Sequence, residues 1–112
     1  MKRGEIYFAS LNPTIGAETR KTRPVLIVSN NANNRVADTV TVVPITSNTK
    51  KIFPFEVLFE PKDTGLPKQS KAQCHQIRTI SKLRINGNMI GVVKEGTMEK
   101  IEYAIRLHLD LI

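Results

Sequence analysis

Short runs of alternating apolar and polar residues occupy much of the chain and predict β-strands. The clearest runs are Glu5–Ala9, Thr39–Ile45 and Phe55–Phe59, because alternate side chains of a strand point to opposite faces of its sheet. Pro24–Ser29 is aliphatic almost throughout, which predicts a strand inside the core. Ser70–Ile80 has a mixed pattern and predicts a long, polar, partly exposed strand. With a short closing strand near residues 92–93, the pattern predicts five or six strands.

The segments between these runs carry turn residues. Asn30–Asn34 predicts a turn that opens one helical turn ending at Ala37, and Pro61–Lys68 predicts a loop. Ser81–Gly91 predicts a short turn or helix. Proline has no amide hydrogen for a sheet ladder, so pairing is expected to stop or bulge at Pro44 and to move residues 46–47 out of the sheet.

The C-terminal segment has a different period. Its apolar residues recur at helical spacing and Thr97 is a suitable N-cap with Glu99 in the first turn, so an amphipathic helix is predicted; the apolar positions are Met98, Ile101, Ile105, Leu109 and Ile112. Together the elements predict a mainly β (α+β) fold, a small β-barrel or curled sheet with this helix packed on it. A chain of 112 residues without a linker or repeat predicts one domain over residues 1–112.

Charge indicates the type of partner. The chain has 17 Lys and Arg against 10 Asp and Glu, a net charge of +7, and the excess lies before residue 85. A polar loop carrying Glu18, Arg20, Lys21 and Arg23 precedes the apolar strand that starts at Pro24. This distribution favours one face that binds a polyanion through phosphate contacts.

Several kinds of chemistry are not indicated. The single cysteine, Cys74, is typical of a reducing compartment and is given no role. His75 and His108 lack the spacing and partner residues of a metal motif, and neither a phosphate loop nor a nucleophile elbow is present. The sequence therefore predicts no cofactor and no metal. No apolar run is long enough for a membrane span, so a cytoplasmic protein is expected.

Five short motifs, in order and spacing, resemble the MazF/PemK family of toxin endoribonucleases across essentially the whole chain. They are Gly4-Glu5-Ile6-Tyr7 with Asn12-Pro13, Gly16-x-Glu18, Arg23-Pro24-Val25-Leu26-Ile27-Val28, Pro44-Ile45-Thr46 and Gln76-Ile77-Arg78-Thr79-Ile80, followed by the C-terminal helix. The resemblance implies an SH3-like barrel and a homodimer. It also implies metal-independent, sequence-specific cleavage of single-stranded mRNA that inhibits translation and growth, and an acidic, MazE-like antitoxin as partner.

Two alternatives remain at this point. One is a member of the family that binds RNA or antitoxin without cleaving. The other is a gyrase poison of the CcdB kind, which shares the fold; that relative relies on a tryptophan near its C-terminus, and this chain has no Trp.

The expected reaction needs a proton acceptor for the 2′-hydroxyl, a proton donor for the leaving 5′-oxygen and positive charge for the phosphorane. Arg23 fits the charge role, because its planar guanidinium matches phosphate oxygens. Through the resemblance, Thr46 would position the scissile phosphate, and Glu18 would accept the proton or orient Arg23. Plainer interpretations are a surface arginine, a strand-end threonine and an exposed loop glutamate.

Residues 73–76 depart from the family pattern, since the position of His75 is usually acidic in relatives and one branch carries Arg in place of Gln73. With an ordinary pKa of about 6.5, His75 is a candidate general base or RNA contact, or simply a solvated histidine. Tyr7, Phe53 and Phe55 could stack on bases, but aromatic residues in alternating strands more often belong to the core, so they are not assigned to RNA binding. The predicted RNA-binding residues are Arg20, Lys21, Ser47, Lys50, Lys51, Gln73 and Gln76.

Overall fold

A computed structural model describes residues 1–111, so Ile112 of the predicted helix lies outside the described residues. The strands are β1 (Glu5–Ser10), β2 (Thr22–Ile27), β3 (Thr39–Thr46), β4 (Glu56–Phe59), β5 (Ser70–Gln73), β6 (Arg78–Ser81) and β7 (Ile85–Val92). They form an antiparallel sheet in the order β4-β5-β3-β2-β1-β7, with β6 also paired to β3. This seven-stranded curled sheet confirms the predicted mainly β fold, although the described ladder does not close into a complete barrel.

Strand β3 is the centre of the sheet. One of its edges pairs with β2, and the other pairs first with β6, up to Val42, and then with β5, from Ile45. Pro44 lies where this second edge changes partner, so an interrupted ladder there agrees with the expectation for proline. The expectation that Thr46 leaves the sheet is wrong, because Thr46 pairs with Lys71 of β5.

Residues 70–92 differ most from the sequence-based expectation. The single long strand over 70–80 is wrong: β5 and β6 are separated by one 3-10 turn, Cys74–Gln76. A second 3-10 turn, Lys82–Arg84, is followed by β7, which is eight residues long where a turn or helix was expected. The Asn and Gly residues of β7 are typical of turns, but pairing along β1 overrides this local preference.

Three helices accompany the sheet: α1 (Asn31–Val36), α2 (Pro61–Thr64) and α3 (Glu95–His108). The turn predicted for α1 is confirmed. A loop was predicted for Pro61–Lys68, but its first four residues form helix α2. A 3.0 Å hydrogen bond from the Glu60 amide to the Asp63 carboxylate caps the N-terminus of this helix.

Helix α3 confirms the predicted C-terminal helix but starts earlier, with Lys94 rather than Thr97 at the N-cap. It buries Met98, Ile101 and Ala104 against the sheet. Leu109 of the predicted apolar face is 47% exposed. Among residues 1–111, no helix has both the length and the apolar character to cross a membrane.

Candidate active site

A polar cleft opens between the β1–β2 loop and the ends of β2, β3 and β5. Its volume is about 350 Å³, and its lining is Gly16, Ala17, Glu18, Thr19, Arg20, Arg23, Thr46 and Gln73. The fold therefore brings together three of the four predicted catalytic residues, Glu18, Arg23 and Thr46, together with two of the predicted RNA-binding residues. They come from three segments that are far apart in sequence.

Arg23 lies near the start of β2 and pairs with Ala9 of β1. The side chain is half-buried, and its Nε donates a 3.1 Å hydrogen bond to the carbonyl oxygen of Arg20. One edge of the guanidinium is thereby fixed to the protein. Among residues 1–111 the two terminal nitrogens have no hydrogen-bond partner, and such a pair of donors suits a paired contact with phosphate oxygens.

Thr46 is the last residue of β3. Its Oγ1 accepts a 3.2 Å hydrogen bond from the Asn48 amide, which fixes the rotamer at the edge of the cleft. Because the oxygen is used as an acceptor, the hydroxyl hydrogen remains able to donate to a substrate oxygen.

The Glu18 segment is held by hydrogen bonds that the sequence did not reveal. Gln76 accepts from the Thr19 amide at 3.2 Å and donates to the Ala17 carbonyl oxygen at 3.2 Å. Gln73 accepts from the Thr19 hydroxyl at 2.7 Å. We call these three contacts the loop anchor. Both glutamines were predicted as RNA contacts, and the structure gives each of them a structural contact with the loop as well.

Glu18 itself is exposed, and one carboxylate oxygen accepts a 2.6 Å hydrogen bond from the Ile15 amide. This contact, within the loop, orients the carboxylate at the cleft. Glu18 and Thr19 also line a neighbouring recess, so the Glu18 segment separates two cavities.

This second cavity, the histidine recess, contains the remaining predicted catalytic residue. Its volume is about 300 Å³, and it is lined by Glu18, Thr19, Pro44, His75, Gln76, Ile77 and Arg78. The His75 ring stands edge-on to Phe55, with 4.5 Å between centroids, and 6.3 Å from the ring of His108. Within residues 1–111, its Nδ1 is buried and has no hydrogen-bond partner.

Burial lowers the pKa of His75 from its usual value. The nearby carboxylate of Glu56 opposes this shift in pKa, and His108 and Lys71 add to it. His75 is consequently neutral near pH 7. It could act as a base in principle, but part of its ring faces apolar neighbours and not the polar cleft. In the part of the chain that the structure describes, no group of three His, Cys, Asp or Glu side chains could hold a metal ion.

The other predicted RNA-binding residues lie in two loops, and of these residues Arg20 lines the polar cleft. Arg20 and Lys21 are exposed on the β1–β2 loop, and Ser47, Lys50 and Lys51 follow the end of β3. The ammonium of Lys51 stands 4.9 Å from the centre of the Phe53 ring, which stacks on Phe55. The lysines at 50 and 51 do not line the polar cleft.

A buried ion pair beneath the site was also missed by sequence reasoning. The Lys71 ammonium donates to Glu56 at 3.0 Å and to the Lys51 carbonyl oxygen at 2.6 Å. These contacts tie the β3–β4 loop to β5. Cys74, to which no role was given, is buried, and burial followed by the charge of Glu56 raises its pKa to about 12, so the thiol is unreactive near neutral pH.

Comparisons with known proteins identify relatives that align over nearly the whole chain. The endoribonuclease MazF9 of Mycobacterium tuberculosis is 41% identical over 116 residues, covering 99% of this chain and 98% of the relative. The endoribonuclease EndoA of Bacillus subtilis is 36% identical over 113 residues, covering 100% of this chain and 97% of the relative.

Solved structures show the same fold. A mycobacterial endoribonuclease in complex with its cognate antitoxin superposes with a TM-score of 0.81 at 32% identity, covering 100% of this chain and 97% of that one. MazF from Deinococcus radiodurans reaches a TM-score of 0.85 at 20% identity, covering 98% and 96% of the two chains, which supports the fold alone. The family model for PemK-like, MazF-like toxins of type II toxin-antitoxin systems matches residues 2–109, and the chain belongs to this family.

Proposed function

We propose that this protein is the toxin of a toxin-antitoxin pair and a sequence-specific endoribonuclease that cleaves single-stranded mRNA without a metal ion. The observation that carries the proposal is the polar cleft, in which Arg23, Thr46 and Glu18 converge from β2, β3 and the β1–β2 loop. The relatives named as endoribonucleases align over nearly the whole chain, which supports the same reaction here.

In the proposed reaction the 2′-oxygen of one nucleotide attacks the adjacent phosphorus. The 2′-hydroxyl proton passes to a carboxylate oxygen of Glu18, which faces the cleft and is oriented by Ile15. A bond forms between the 2′-oxygen and phosphorus, the bond from phosphorus to the 5′-oxygen breaks, and the leaving 5′-oxygen takes up a proton from water. The products are a 2′,3′-cyclic phosphate and a 5′-hydroxyl.

Arg23 and Thr46 stabilise the phosphorane through which this reaction passes. The terminal nitrogens of Arg23 bind two phosphate oxygens, since its Nε is already fixed to Arg20. The Thr46 hydroxyl donates to another phosphate oxygen. Donors that are already oriented stabilise the additional negative charge without reorganising during the reaction.

Glu18 is preferred to His75 as the proton acceptor. Glu18 lines both cavities, whereas His75 lines only the recess and its Nδ1 is buried. In this assignment His75 lines the recess with Gln76 and takes no part in the proton transfer.

Exposed basic residues around the cleft bind the flanking RNA backbone; they are Arg20, Lys21, Lys50 and Lys51. The same positive face suits an acidic antitoxin, whose carboxylates would compete with phosphates for Arg23. The complex of the mycobacterial endoribonuclease with its antitoxin supports this partner. We further propose that the protein works as a cytoplasmic homodimer.

The decisive experiment incubates the purified protein with a long single-stranded RNA in excess chelator and maps the fragment ends. The expected result is cuts at one short sequence that leave 5′-hydroxyl ends. Replacing the nucleotide before the cut by its 2′-deoxy form should abolish cleavage there, because the nucleophile is missing.

Arg23→Ala should lower kcat/KM by at least about 10³-fold, the magnitude found for arginines that stabilise phosphoryl transfer. Arg35→Ala, an exposed arginine in the last turn of α1, is the matched control and should cleave normally. Intact RNA with salt-sensitive binding would instead show a non-cleaving protein, and equal losses in the two variants would remove Arg23 from the mechanism.

A further inference from the structure

An apolar pocket lies on the other side of Arg23 from the polar cleft. Its volume is about 230 Å³; its apolar lining residues are Phe8, Pro24, Ile45, Leu66 and Pro67, and its polar ones are Thr22, Arg23, Ser47, Lys68 and Ser70. It is bounded by β1, β2 and the loop that follows α2. None of its apolar residues was considered as a functional residue from the sequence.

Phe8 is the unusual member of this pocket. It lies on β1, which is paired on both sides, with Phe8 opposite Pro24 of β2 and Asn86 of β7. Its side chain is nevertheless 40% exposed. An aromatic ring fixed on the interior strand of a sheet, with one face open, is a rigid surface on which a flat molecule can stack.

The part of the pocket formed by Leu66 is also rigid. Leu66 is only 8% exposed and belongs to the main hydrophobic core, and its amide donates a 3.0 Å hydrogen bond to Thr64. The pocket is therefore preformed, and little ordering would be required of it on binding.

Arg23 connects the two cavities, because its side chain lines both of them. A phosphate held by the guanidinium would place the neighbouring nucleoside next to the pocket. A nucleobase has two flat, weakly polar faces and a polar edge, which match the apolar Phe8 and the two prolines and the polar lining residues Ser47 and Lys68. The positive charge of Arg23 and Lys68 suits a ligand that carries phosphates.

We propose that the apolar pocket binds the nucleobase adjacent to the scissile phosphate and that this base stacks on Phe8. The assignment rests on the proposed function, since it takes the phosphate on Arg23 to be the one that is cleaved. It makes Phe8 a substrate-binding residue that contributes to the choice of cleavage sequence.

The test uses the full-length protein and a short RNA containing the mapped cleavage sequence, together with versions in which one nucleotide at a time is abasic. Removing the base that occupies the pocket should lower kcat/KM of the wild type by about 5- to 150-fold, the range of one base–aromatic stacking contact. Phe8→Ala should lower kcat/KM on the intact RNA by a similar factor. The same abasic substitution should then change kcat/KM of the Phe8→Ala variant little, because the stacking contact is already absent in this variant.

Leu58→Ala is the matched control, because Leu58 is also an apolar strand residue, 41% exposed, but lines a groove against α3 instead. Thermal melting of both variants checks that the fold is retained, and Phe8→Trp should recover the stacking if Phe8→Ala is destabilised. Binding of RNA with a 2′-deoxy nucleotide at the cut gives a second readout that does not depend on cleavage.

The outcomes separate the two proposals. Normal cleavage by the wild type, with abasic penalties next to the cut that are equal in wild type and Phe8→Ala, would overturn the pocket assignment and leave the proposed function intact. Failure of the wild type to cleave any RNA would overturn the proposed function and, with it, the assignment of the pocket to the scissile nucleotide.

Discussion

The polar cleft and the histidine recess lie on either side of the Glu18 segment, and they differ in what surrounds their polar groups. In the cleft, Arg23 binds the protein through Nε and Thr46 accepts a hydrogen bond at Oγ1, and both side chains retain hydrogens that can be donated to a substrate. In the recess, His75 packs against Phe55 and its Nδ1 is buried without a partner among the described residues. A side chain with suitable chemistry is therefore not sufficient for a catalytic role. Its free donors or acceptors must also face the substrate.

Thr46→Val gives the largest effect expected in this comparison. The change keeps the shape of the side chain but removes the donor to the phosphorane, so kcat should fall by about 10²–10³-fold, as when one oriented donor is removed elsewhere. The measurement is single-turnover cleavage of the mapped RNA.

Thr41→Val is the control for this experiment, because Thr41 lies on the same strand and its hydroxyl contacts Thr79 at 2.8 Å, away from the cleft. Equal rates for the two variants would show that the hydroxyl at position 46 does not take part in the reaction.

Gln76→Ala tests whether the loop anchor positions Glu18. Two hydrogen bonds to the loop are lost, and at about 0.5–1.5 kcal/mol each we expect kcat to fall roughly 5- to 150-fold. Hydrogen exchange of the amides at residues 16–19 should accelerate at the same time. The control is Gln69→Ala, since Gln69 binds Thr49 and Glu60 at a distance from this loop.

A direct RNA contact by Gln76 would give a different result. KM would then rise while kcat and the exchange of the loop amides stay unchanged, and the positioning role would be excluded.

His75→Gln should have the smallest effect on catalysis, less than about tenfold in kcat, and the acidic limb of the rate profile should remain. Its clearest effect is on stability. In the unfolded chain this histidine is protonated near its usual pKa of about 6.5. In the folded protein its pKa is lowered, so it becomes protonated only at a lower pH. The unfolded state thus binds more protons between these values, and the wild type loses stability as the pH falls through them.

The variant lacks this group, so its melting temperature should fall less than that of the wild type between pH 7 and pH 5. A titration of His75 by NMR checks the direction of the pKa shift. A loss of the acidic limb together with a decrease of about 10²–10⁴-fold in kcat would identify His75, not Glu18, as the general base.

Local sequence patterns correctly predicted those strands whose residues themselves favour an extended conformation. The apolar runs in β2 and β4 and the helical period of α3 were found because burial on one face leaves a regular signal in the sequence. The same reasoning failed for β7, since its exposed Asn and Gly residues resemble a turn and only pairing with β1 makes the segment extended. It also failed at Cys74–Gln76, where a 3-10 turn allows β3 to change its partner.

The sequence by itself determined the mainly β fold, the positive face, the family resemblance and the identities of Arg23, Thr46 and Glu18 as candidates. These properties depend on composition, local period and motif order, which are present in the chain before it folds. Only the tertiary structure decided that these three residues share one cleft, that Gln73 and Gln76 anchor the loop, and that Phe8 is left open beside Arg23. Such relations join residues that are as many as 59 positions apart in sequence, and no local pattern encodes the distance between them.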